Sequence, residues 1–131
     1  MRDALESVAS NFPNRPTVSG DEHSGFEFAW RNGTISAGLR SYGQYVVVFL
    51  AEAQVEVTTT SAAIELLRGI FGDQFVAVAA FKNKTLVRSC IAPANDIGAG
   101  LNNPTHTHLG PVATAIDEVR VRSWSGALDA G

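Results

Sequence analysis

The sequence predicts an α+β fold in which a mainly antiparallel sheet, a meander plus a hairpin, is packed by an N-terminal helix and a buried central helix. Three observations carry this. Apolar and polar residues alternate over 26–40 on either side of an Asn-Gly pair, which is the pattern of a hairpin. The stretch 60–71 is apolar nearly all round, as a buried helix is. No strand–helix–strand crossover rhythm appears, so the strands should pair through hairpins. The chain has 131 residues, a length that suits one domain over 1–131.

The first expected element is a helix over 3–12. Leu5, Val8, Ala9 and Phe12 fall on one face, with Asp3 as cap and Glu6 placed as in a capping box. Pro13 and Pro16 end it, because proline lacks an amide donor and clashes with the preceding turn. Residues 13–24 are polar and read as a loop.

A three-strand meander follows. Phe26, Phe28 and Trp30 share one face of the first strand, which predicts core packing for Trp30. Ile35, Ala37 and Leu39 share one face of the second. Asn32-Gly33 is the expected two-residue turn between them, since both residue types accept positive φ. Tyr42-Gly43-Gln44 turns into the third strand. There Phe49, Ala51, Ala53, Val55 and Val57 keep one apolar register, while the other face changes from Val46, Val48 and Leu50 to Glu52, Gln54 and Glu56. This reads as one long strand, covered on both faces at first and open on one face later, with a break near Glu52 as an alternative.

Thr60 or Ser61 should cap the central helix through Phe71, with Gly72 as a left-handed C-cap. Phe75 to Phe81 and Leu86 to Ala92 form the expected hairpin around Lys82-Asn83-Lys84, and Pro93 ends the pairing. Residues 93–111 make a long loop rich in Gly, Asn and Pro, of a length that tends to be functional or disordered. Over 112–128 both periods fit, and the helical one is preferred.

Composition narrows the function. A formal charge of −3 gives no basic footprint for duplex DNA. The apolar runs at Val46 to Leu50 and Phe75 to Phe81 fall far short of the ~20 residues a membrane span needs. The start, Met1-Arg2-Asp3-Ala4-Leu5-Glu6, lacks the continuous apolar stretch of a secretory signal, so the expected location is cytoplasmic.

Several residue types invite a chemical reading. His106 and His108, two apart, would point the same way in an extended segment and could share a metal ion. Asp96, His23 or Asp117 could supply a further ligand. Gly98-Ala99-Gly100 lacks the third glycine of a dinucleotide loop, since position 103 is Asn103. Ser125-Gly126 lacks the leading glycine of a nucleophile elbow. Cys90, the single cysteine, would be reactive only if exposed beside a cation such as Arg88, and a buried thiol is the commoner case. Asp21-Glu22 and Asp117-Glu118 are sequence neighbours, which seldom face one another.

The expectation is therefore a small acidic protein-binding module with no catalytic centre and no cofactor. Its role would be that of an immunity protein, antitoxin, inhibitor or secretion chaperone. Glu52, Gln54, Glu56 and Trp124 are the expected contact residues, set against a partner with a basic surface and not against a membrane. The alternative is a metal-dependent or small-molecule-processing enzyme using loop 93–111 with His106, His108 and Asp96.

Overall fold

A computed structural model describes residues 16–21, 25–42, 45–97 and 116–130. Within them lie eight strands in two antiparallel sheets, and one helix. The helix expected over 3–12 lies outside the described residues, as do His23, the Gly98–Gly100 segment, His106 and His108.

The first sheet runs in sequence order: β1 (Thr17–Asp21), β2 (Gly25–Asn32), β3 (Ile35–Ser41), β4 (Val46–Leu50) and β5 (Ala53–Val57). The expected meander has three strands, and this one has five. One addition is β1, inside the stretch read as a loop. It is an edge strand with Thr17, Val18, Ser19 and Gly20 all exposed, so no apolar face marked it in the sequence.

The other addition comes from splitting the long third strand. Leu50 pairs with Ala53 across a two-residue turn in which Ala51 has φ 52°. Such a turn puts positions three apart on the same face. Val46, Val48 and Leu50 thus point into the core, and so do Ala53, Val55 and Val57. The apolar register moves from even to odd positions because the chain reverses, not because both faces of one strand are covered.

The β2–β3 turn is also displaced by one residue. Asn32 pairs with Ile35, so Gly33 and Thr34 form the turn, with positive φ (64°) at Gly33 alone. That is the II′ pattern, which places glycine first. Trp30 does face the same side as Phe26 and Phe28, and all three are buried.

Helix α1 (Thr60–Phe71) packs on the inner face of this sheet through Ala63, Leu67 and Ile70. Its N-cap is Thr59, one position before the expected cap, and the Thr59 hydroxyl accepts from Ala62 N at 3.1 Å. Gly72 closes the helix with φ −92°, and the left-handed residue is Asp73 with φ 57°.

The second sheet has the order β7–β6–β8, from β6 (Phe75–Lys82), β7 (Thr85–Pro93) and β8 (Glu118–Arg122). Asn83 and Lys84 both take positive φ in the β6–β7 turn, the I′ pattern. The helix preferred over 112–128 is not present in the described part of that stretch. Residues 118–122 pair instead with the open side of β6. Arg120 and Arg122 alternate with Val119 and Val121, and Arg120 lies over the Phe81 ring at 4.5 Å. An arginine stacked on an aromatic ring can occupy a half-buried sheet position, so the alternating period that also fitted this stretch is the one the fold uses.

The main core lies between the inner face of the five-stranded sheet, α1 and one face of the second sheet, with Ala77, Ile91 and Trp124 from the latter side. A smaller core of Val76, Val78, Cys90, Ala92 and Val121 covers the other face. Rings run through the main core from Phe26 to Phe28, Trp30, Phe71 and Trp124, with neighbouring centroids 4.9–6.3 Å apart. Among the described residues, no helix is long and apolar enough to cross a membrane.

Candidate functional site

The four expected contact residues do not form one surface. Glu52 sits in the β4–β5 turn, exposed. Gln54 and Glu56 lie on the outer face of β5, opposite Phe49 and Val47. The single acidic stripe is therefore broken by the turn that splits the strand. Trp124 is 5 % exposed and packs on Phe71, so it is a core residue and not a surface anchor.

The segment after β8 explains that burial. It folds back so that Val121 and Ala130 exchange backbone hydrogen bonds. Asp129 accepts from Ser123 N at 2.7 Å, and the Asn32 side-chain amide donates to the Trp124 carbonyl at 2.8 Å. Ser125 donates to Asp73 through both its hydroxyl and its backbone N. These bonds clamp Trp124 between the β2–β3 turn and the end of α1.

The chemical candidates fare as follows. Cys90 is wholly buried, and burial pushes its thiol up to about 11 although Arg88 pulls the other way. A thiol in that state is a poor nucleophile at neutral pH. Asp117 caps the β6–β7 turn by accepting from Asn83 N at 2.9 Å. Asp96 is exposed beyond β7, where its N donates to the Pro93 carbonyl. Among the described residues, no three His, Cys, Asp or Glu side chains gather as a metal site would require.

The surface that stands out was not flagged by the sequence. Tyr42 and Tyr45 flank the β3–β4 connection, and their rings stack at 5.2 Å with planes 28° apart. Tyr42 N donates to the Tyr45 carbonyl at 3.0 Å, which fixes the pair. They are 50 % and 38 % exposed, so much of this aromatic area faces solvent. The register brings Gly20, Phe26 and Ser41 into one row, so the end of β1 lies beside Tyr42. A shallow depression of about 200 Å³ joins them, with Ser19, Glu27 and Arg40 in its walls.

Arg40 is placed by two contacts. Its guanidinium lies over the Phe49 ring at 4.7 Å, and its Nε meets the Glu27 carboxylate at 3.3 Å. Phe49 is thereby buried on the outer face of the sheet, away from both cores. On the far side of β1, no strand pairs with it among the described residues. A tyrosine pair could have been suspected from Tyr42 and Tyr45 flanking a glycine turn, but only the structure shows them stacked and open.

Compared with known proteins, the chain matches no family model, no curated protein and no solved structure.

Proposed function

We propose that this protein is a protein-binding module that engages its partner at the end of the sheet formed by β1, Arg40 and the Tyr42–Tyr45 pair. The observation that carries the reading is the stacked, solvent-facing tyrosine pair. Tyrosine and arginine are the residue types that dominate binding hot spots, and a stacked ring held by a backbone bond loses little freedom on binding. Strand β1 adds an exposed edge whose backbone groups can accept an extended segment. The net charge of −3 and the exposed carboxylate of Glu56, on the strand end beside Val46 and Val47, favour a partner with a basic surface. A role as immunity protein, antitoxin, inhibitor or secretion chaperone goes with this reading, as does a cytoplasmic location.

The test compares capture from cell extract by the parent, by Tyr42→Ala with Tyr45→Ala, and by Thr85→Ala in the other sheet. A partner held by the parent and the Thr85 variant, and lost from the tyrosine variant at unchanged melting temperature, supports the site. Equal capture by all three forms refutes it.

A further inference from the structure

At the opposite end of the five-stranded sheet, the Gly33–Thr34 and Ala51–Glu52 turns face the C-terminal segment across a cleft of about 450 Å³. That volume falls in the range of small-molecule sites, ~300–1,000 Å³. Three charged side chains line it: Arg122, Glu52 and Asp129. Ile35 and Ala51 give it an apolar patch.

The charges are held without cancelling. Arg122 Nη1 donates to the carbonyls of Val121 and Ala130 at 2.9 and 3.2 Å, which anchors one edge of the guanidinium and leaves its other N–H groups available. Asp129 Oδ1 accepts from Ser123, and Oδ2 takes part in none of these bonds. The Glu52 carboxylate makes no hydrogen bond or ion pair among the described residues. Nor does an ion pair within 4.0 Å join Arg122 to either carboxylate among them. A cation and two anions thus line one cleft with no ion pair within 4.0 Å joining them among the described residues.

A purely anionic ligand would meet two carboxylates there, and a purely cationic one would meet Arg122. A molecule bearing both signs meets a counter-charge for each of them, and the guanidinium, anchored at Nη1, is preorganised for a carboxylate. We propose that this cleft binds a small zwitterion, with its carboxylate on Arg122 and its ammonium on Glu52 and Asp129. A free amino acid or a dipeptide has that chemistry. This site is separate from the tyrosine surface and does not depend on it.

The experiment is calorimetric and NMR titration of the full chain with a panel of amino acids and dipeptides. Each is matched by its N-acetyl and its C-amide derivative. Binding should shift the amide signals of Gly33, Thr34, Glu52 and Ser125, and each blocking group should weaken it at least ~10-fold. The amino-acid and dipeptide arms distinguish the spacing of the two charges. Arg122→Gln should make the zwitterion and its amide bind alike. Glu52→Gln, in an exposed turn that tolerates the change, should shrink the penalty of acetylation. Blocked and unblocked ligands binding alike to the parent would overturn the proposal, as would no shift at ~10 mM of any panel member.

Discussion

Phe71 and Trp124 meet edge to face, their ring centroids 4.9 Å apart and their planes at 69°. The contact joins the last residue of α1 to the segment that follows β8, and Trp30 meets Phe71 from the first sheet at 5.4 Å. One half-buried phenylalanine therefore ties the helix to both sheets.

Trp124→Ala should cost ~3–5 kcal/mol, the range for removing a large buried aromatic side chain. Urea denaturation followed by far-ultraviolet dichroism measures it. A loss under ~1 kcal/mol would mean that the C-terminal segment contributes little to the core.

Gly38→Ala should also destabilise, for a steric reason. A Cβ at position 38 would stand 2.0 Å from the Phe28 carbonyl oxygen, and that oxygen belongs to the neighbouring strand's backbone. The expected cost is ~1–3 kcal/mol. A stability equal to that of the parent would show that β2 and β3 can separate locally without penalty.

Leu67 is wholly buried on the face of α1 that packs against the first sheet. Leu67→Ala should lower stability by ~2–5 kcal/mol, with the spread set by how far the surrounding side chains close over the cavity. A thermal melt unchanged within error would contradict the packing of α1 described above.

Cys90 predicts a pH dependence. Burial raises its thiol from 9.0 to about 11, so the unfolded chain releases the proton first. Its contribution to stability is complete below about pH 9 and is lost as pH rises toward 11. Parent and Cys90→Ala should therefore be compared in urea at about pH 8 and about pH 10.5. The parent should lose more stability than the variant between the two. Parallel losses would show that the thiol titrates normally in the folded protein.

Much of the fold was legible because burial leaves a period. Phe26, Phe28 and Trp30 face one core, and Ala63, Leu67 and Ile70 mark the inner side of α1. Where the period failed, a physical cause can be named. β1 has no buried face to print on the sequence. Over β8 the alternating and the helical periods both fit, and the partner that decides between them, β6, is remote in sequence. The caps moved by one because Thr59, Thr60 and Ser61 are all competent and only Thr59 has the extended backbone of an N-cap.

The site was less legible than the fold. A contact surface depends on which turns end beside one another, and sequence spacing does not encode that. Glu52 shares the lining of a cleft with Arg122 and Asp129, whereas Gln54 and Glu56 lie on the outer face of β5. Trp124 looked like an anchor by residue type. The fold-back of Ala130 onto Val121 turns it inward.

The pairing of β8 with β6 has a kinetic consequence. Strands β1 to β5 join through near neighbours, so their contacts can form early at small cost in loop closure. β8 pairs with β6 at long sequence separation, from Phe81 with Glu118 to Ala77 with Arg122, and closing that separation is entropically dearer. The second sheet should therefore complete itself last on folding and open first on unfolding. In hydrogen exchange, the amides of Val119 and Val121 should be released at a lower opening free energy than those of Leu39 and Val48. Because Trp124 follows β8 directly, each such opening would also uncover Phe71, giving the resting molecule a transient apolar face at the end of its helix.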